Sequence, residues 1–125
     1  MYFGVQYYPE HWPEDRWHVD AEMMQRAGIN TVRMGEFAWS AFEPTEGTYD
    51  FAWMERALDL LHYHGIRTVM CTMSRTPPPW VFRRYPEIVN VGLDGRRRLL
   101  GGRYTVGLGH PEFQEISQRI DEAIV

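Results

Sequence analysis

The sequence predicts an α/β chain made of the first three βα units of a TIM (β/α)8 barrel, and three observations carry that expectation. Gly28-Ile29-Asn30-Thr31-Val32-Arg33-Met34 recurs as Gly65-Ile66-Arg67-Thr68-Val69-Met70-Cys71, offset by 37 residues. A helix that stops at Gly, an Ile that turns inward and a β-branched strand make the helix-to-strand junction of a βαβ unit, whose parallel strands need a helical crossover. Strand-like runs begin near positions 4, 31 and 67, so a unit takes about thirty residues and eight units would reach the ~250 typical of the barrel. A doubly wound nucleotide fold would instead place a Gly-rich loop after the first strand, and Tyr7-Tyr8-Pro9-Glu10-His11-Trp12 has no glycine. Residues 1–125 read as a partial, N-terminal segment of such a barrel.

Each element has its own signal. Gly4-Val5-Gln6-Tyr7-Tyr8 is a β-rich run stopped by Pro9, and Pro13-Glu14-Asp15 opens a helix with carboxylates at the positive end of its dipole. Trp17, Ala21, Met24 and Ala27 share one face of that helix, and Gly28 closes it. Thr31-Val32-Arg33-Met34 is the second strand. Asp50 is placed to cap a helix whose apolar stripe is Phe51, Met54, Leu58 and Leu61; Gly65 ends it before the strand Thr68-Val69-Met70-Cys71. The prolines of Ser74-Arg75-Thr76-Pro77-Pro78-Pro79-Trp80 forbid a sheet interior and predict an extended loop, with a short helix over Val81–Tyr85. Glu87 to His110 shows no clear period, six glycines and a tight turn at Asp94-Gly95. Pro111 starts a last helix with Phe113, Ile116, Ile120 and Ala123 inward.

Composition narrows the function classes. The chain has 125 residues, 44% hydrophobic and 24% charged, with 5 Trp, 7 Tyr and 6 Phe, which excludes a disordered tail. Carboxylates outnumber cations 17 to 13 for a net charge of -4, so no nucleic-acid partner is expected, and Arg96-Arg97-Arg98 reads as a solvated loop. All thirteen cations are Arg, which reads first as genomic composition bias. The single cysteine, Cys71, fits a reducing compartment, while the N-terminus lacks a secretory pattern and no run approaches the ~18 apolar residues of a membrane span. A soluble cytoplasmic protein with no membrane partner is expected.

In either parallel fold the functional end lies at the C-terminal ends of the strands. The first loop there offers Gln6, Tyr7, Tyr8, Glu10, His11 and Trp12; the second Arg33, Glu36, Phe37 and Trp39; the third Thr72, Ser74, Arg75 and Trp80. Aromatic faces beside carboxylates and Arg suit a sugar, which presents C–H faces to rings and hydroxyls to charged partners. The plainer reading is that Trp12, Phe37, Trp39 and Trp80 pack the loops.

Gly4-Val5-Gln6-Tyr7-Tyr8-Pro9-Glu10-His11-Trp12-Pro13, Arg33-Met34-Gly35-Glu36-Phe37-Ala38-Trp39-Ser40, Glu43-Pro44 with Glu46-Gly47, Thr76-Pro77-Pro78-Pro79-Trp80, and Asp94-Gly95-Arg96-Arg97-Arg98 with Gly101-Gly102-Arg103 follow one another along the chain. In that order and spacing they resemble the N-terminal part of the catalytic barrel of family 42 β-galactosidases. The resemblance implies retaining hydrolysis of terminal β-D-galactosyl residues, which needs an acid/base and a nucleophile carboxyl ~5 to 5.5 Å apart. Families of this clan carry the acid/base after an Asn on the fourth strand and the nucleophile on the seventh. Asn30 and Asn90 precede Thr31 and Val91, so no Asn-Glu pair occurs, no catalytic residue carries over, and the 125-residue chain alone is expected to be inactive.

Part of the donor subsite does carry over. Arg103 matches the family's substrate-binding arginine, whose fork reaches two galactose hydroxyls. Arg33 matches an arginine that fixes the nucleophile and keeps it ionised. Glu36 matches a supporting residue, and His11, in the first loop, is kept as a further supporting position. Some members carry a zinc-binding cysteine after the Gly-Gly-Arg, and Tyr104 to His110 has none, so no metal and no cofactor is expected. His62, His64 and His110 read as structural. Full-length relatives are expected to be homo-oligomeric, trimers being the family pattern. The rivals are another clan A barrel glycosidase and a non-catalytic carbohydrate-binding or interaction module.

Overall fold

The computed structural model of the protein describes residues 1–125 apart from 74, 99, 100 and 102–104. In chain order its regular elements are β1 (Gly4–Gln6), α1 (Glu14–Arg26), β2 (Thr31–Met34), α2 (Trp39–Phe42), α3 (Ala52–Tyr63), β3 (Arg67–Met70), α4 (Pro79–Arg84) and α5 (Pro111–Ile124). Single 3-10 turns form at Pro9–His11 and Pro86–Ile88. The chain divides into two compact units, Met1–Gly35 with Asp50–Cys71 and Glu36–Tyr49 with Thr72–Val125.

The first unit holds the sheet. Its order is β1-β2-β3, all parallel, with Gln6 opposite Arg33 and Arg33 opposite Val69. Because strand side chains alternate, Val32 and Met34 point to one face and are fully buried, while Thr31 and Arg33 point to the other and stay half-buried. Trp17, Ala21 and Met24 of α1 and Met54, Ala57 and Leu61 of α3 complete the core. The stripe on α3 thus runs through Ala57 rather than Leu58, which stays half-buried. Strand bounds differ slightly from expectation. β1 stops at Gln6, although the Tyr7 N–H still donates to Arg33 O at 3.0 Å, and β3 begins one residue earlier, at Arg67.

The repeated junction has one cause. At both copies the glycine N–H donates to the carbonyl three residues back, Gly28 to Gln25 at 3.0 Å and Gly65 to His62 at 2.9 Å. The following isoleucine donates to the carbonyl five back, Ile29 to Met24 and Ile66 to Leu61, both at 2.9 Å. This paired pattern is the Schellman closure, and it requires a left-handed residue, met by Gly28 at φ 76° and Gly65 at φ 72°. A Cβ at Gly65 would meet nothing within 4 Å, so only backbone strain opposes it. Gly65→Ala is therefore expected to lower stability by about 1 kcal/mol and Gly65→Asn by less, read from denaturant midpoints.

The second unit departs further from the sequence reading. α2 was not expected, its four residues being too few to show a period. α4 begins at Pro79 rather than Val81, because Pro78 caps it and Pro79 supplies a first-turn residue whose missing N–H costs nothing. Between the helices, isolated bridges join Val89 to Val106 and Val91 to Arg97 around the expected turn, where Gly95 has φ 75°. Arg96, Arg97 and Arg98 are exposed, and Arg97 Nη1 donates to Pro86 O at 3.1 Å. On α5 Phe113, Ile116 and Ile120 are buried, but Ala123 is exposed because the last turn has no cover. Among the described residues no helix is long and apolar enough to cross a membrane.

Candidate functional site

In the first unit the chain leaves β1 into the Pro9–His11 turn, which is pinned from below by Trp17 of α1. Its indole N–H donates to Pro9 O at 3.0 Å and lies 3.3 Å from Trp12 O. This fixes the loop that carries Tyr7, Glu10, His11 and Trp12. The Tyr7 hydroxyl donates to Asp20 Oδ2 at 3.4 Å, and Arg16 donates to Asp20 Oδ1 at 2.7 Å. Burial, then the charge of Asp20, pushes the Tyr7 phenol well above its usual range, so it stays protonated as a donor. The Arg16 guanidinium lies 5.5 Å from the centre of the Trp12 ring, which is half exposed. His11 is exposed and its ring stacks on Tyr8 with centroids 5.4 Å apart.

Glu10 is the unusual member of this loop. Both carboxyl oxygens are shielded from solvent, and no other described residue donates a hydrogen bond to either. Burial is the main reason that its carboxyl titrates above the normal range, offset in part by its own backbone N–H and by His11. The native state therefore holds a proton that the unfolded chain has lost at the same pH. Stability is highest below the ordinary glutamate pKa and falls as pH rises through the raised one. Glu10→Met removes the unpartnered group and is expected to stabilise the protein at pH 7 by about 1 kcal/mol, and to flatten the pH dependence of its melting temperature between pH 4 and 7.

Arg33 sits at the penultimate position of β2. Its register partners Gln6 and Val69 are exposed on the same face, away from the one that α1 and α3 cover.

The second unit contains Glu36, Phe37, Trp39, Arg75 and Trp80. Trp39 is fully buried and Trp80 nearly so, each tied to Glu43: Trp39 Nε1 donates to Oε2 at 2.8 Å, and Trp80 Nε1 to the main-chain carbonyl at 2.9 Å. These two tryptophans are packing residues and offer no sugar platform. Glu36 is half-buried and its carbonyl accepts the Thr76 hydroxyl at 2.9 Å. That bond helps shape a cavity of about 290 Å³ lined by Phe37, Arg75, Thr76, Phe82, Gly101 and Thr105. Phe82 and Thr105 were missed in the sequence, where neither falls in a strand-end loop or a periodic stripe. Arg103 and Ser74 lie outside the described residues. Among the described residues no group of three His, Cys, Asp or Glu side chains converges to hold a metal ion.

The family described as Beta-galactosidase, glycoside hydrolase family 42, matches residues 6–125. A β-galactosidase of Thermus thermophilus is 45% identical over 117 residues, covering 94% of this chain and 18% of that protein. One from Haloferax lucentense is 42% identical over 120 residues, covering 96% and 18%. Among solved structures, the β-galactosidase of the psychrophilic Marinomonas ef1 superposes with a TM-score of 0.94 at 40% identity, over 99% of this chain and 19% of its own. The chain thus spans about a fifth of the length of the relatives it matches.

Proposed function

The chain belongs to the β-galactosidase family, glycoside hydrolase family 42, and on that premise we propose that residues 1–125 are the N-terminal, substrate-holding segment of a barrel that hydrolyses terminal β-D-galactosyl residues. Its three parallel strands alternate with helices as the first units of a TIM barrel do. The observation that carries the reading is Arg33 at the C-terminal end of β2, on the sheet face opposite the one that α1 and α3 cover.

In this reading hydrolysis is a two-step retaining reaction. One carboxyl protonates the leaving oxygen while the other bonds to C1 of the sugar and expels the aglycone; water, deprotonated by the first carboxylate, then displaces the second, and both carboxyls come from later strands. Arg33 holds the nucleophile ionised by charge-assisted hydrogen bonds, and Arg103 grips two hydroxyls of the galactosyl ring. Glu36 and His11 support the site, and none of the four forms or breaks a bond to the sugar. The substrate is a β-galactoside, used in carbohydrate metabolism. A single cysteine fits a reducing cytoplasm, and a homo-oligomer is the proposed assembly.

The test is activity on a nitrophenyl β-galactoside. Residues 1–125 expressed alone are expected to give no turnover, and the same residues joined to the later units of a family barrel are expected to give it. Turnover by the short chain that Glu36→Gln abolishes would show that the catalytic carboxyl lies here after all.

A further inference from the structure

The loop that follows β1 is closed by few bonds. Between the buried Pro9 and Pro13, which caps α1, the His11 N–H donates to Tyr8 O and the Trp12 N–H to Pro9 O, both at 3.1 Å. The Trp17 indole adds its bond to Pro9 O, and each proline fixes its own φ, so an opening of Glu10, His11 and Trp12 can stop at either side. Glu10 stands in the middle of this turn, with both carboxyl oxygens shielded and no other described residue donating to them.

A shielded carboxyl without donors is tolerated as the neutral acid and costly as the anion, because nothing there replaces the water that the anion loses. The neighbouring charges do not supply the missing donor. Arg16 and Asp20 of α1 pair with each other at 2.7 Å, the Tyr7 hydroxyl is committed to Asp20, and the exposed Arg56 of α3 pairs with Glu14 of α1. His11, when protonated, favours the anion from the same turn, but it is exposed and its field is screened. Ionised Glu10 therefore gains most by moving into water, and this lightly bonded turn is the part that can let it go.

We propose that Glu10 is a pH-operated latch on the first loop: the protonated carboxyl keeps the Pro9–His11 turn closed against α1, and its ionisation releases Glu10, His11 and Trp12 from the C-terminal end of β1. The strand stays in place, since the Tyr7 N–H remains bonded to Arg33 O of β2. Acid orders the loop and base loosens it. The open turn carries a carboxyl of ordinary acidity and the closed turn one that holds its proton to higher pH, so opening grows more favourable across the interval between the two and levels off above it.

The experiment is hydrogen exchange on the full-length protein that contains this segment, at a series of pH values, with each rate divided by that of the unstructured amide. Overlapping peptides and electron-transfer fragmentation separate the His11 and Trp12 amides from that of Tyr7. Protection of His11 and Trp12 is expected to fall by up to about tenfold per pH unit above the ordinary glutamate pKa of ~4.3 and then to level off, while Tyr7 stays protected throughout. Glu10→Gln keeps the shape of the side chain and cannot ionise, so its His11 and Trp12 protection is expected to be level with pH. A flat wild-type profile overturns the latch, as does a variant that keeps the wild-type slope. A Tyr7 amide that loses protection in step with Trp12 also overturns it, because the whole unit rather than the turn is then opening. That control reads the wild-type protein alone, so the outcome is decided even where the glutamine variant does not fold.

Discussion

Glu43→Ala is expected to destabilise the protein by about 3 kcal/mol, the largest single loss outside the apolar core. The side chain is fully buried and each carboxylate oxygen has a donor, Oε2 from the Trp39 indole and Oε1 from the Gly47 N–H, both at 2.8 Å. Arg119 of α5 stands 3.9 Å from Oε1, and also lies 3.3 Å from Glu46. Truncation orphans the buried Trp39 indole N–H, takes the acceptor from the Gly47 N–H and leaves a cavity, while the Trp80 bond to the Glu43 carbonyl survives. Glu43→Gln keeps the volume but turns one donor against another, so it should cost about half as much. Tryptophan fluorescence in a urea titration reads the event directly, since Trp39 and Trp80 both touch this residue. In a double-mutant cycle, Trp39→Phe and Glu43→Ala together should cost less than the sum of the two. Strict additivity would show that the buried bond contributes nothing.

Arg33→Ala is expected to lower kcat/KM of the full-length enzyme on β-galactosides by a factor of 10² to 10³, about 3 to 4 kcal/mol of transition-state stabilisation. The sign of the accompanying pH effect is fixed by electrostatics. Removing a cation beside a carboxylate raises that carboxyl's pKa, so the acid limb of the pH–rate profile moves to higher pH. Arg33→Lys keeps the charge but loses the fork, and should recover part of the rate and most of the pH profile. A merely structural arginine would give thermal destabilisation with an unmoved acid limb.

Neither expectation could be weighed from the chain alone. Glu43 stands in the sequence as one carboxylate of the Glu43-Pro44 and Glu46-Gly47 motif, and only its spacing of four from Trp39 hints at a shared helical turn. Arg33 was readable as a candidate because it falls at the end of a β-branched run inside a motif that resembles the family's, and period-two alternation from the buried Val32 and Met34 places it on the opposite face. The aromatic set divided in a way no pattern announced. Trp39 and Trp80 proved to be core, Trp12 stayed half exposed under Arg16, and Phe37 joined a cavity with Phe82. Aromatic residues serve core and recognition with the same chemistry, so composition cannot sort them.

What local interactions specify, the sequence determined by itself: the Gly-Ile junctions, the three parallel strands, the helix at Pro111 and, by motif, the family. These depend on φ angles, capping and side-chain period, all written within a few residues of one another. Tertiary structure decided the rest: that Ala57 rather than Leu58 faces inward, that α4 starts at Pro79, that Glu10 is shielded with no donor from another described residue, and that Glu43 lies at the centre of a hydrogen-bonded cluster. Burial is a property of what packs against a residue, and desolvation, which sets the energy of a carboxyl group, has no local signature in the chain.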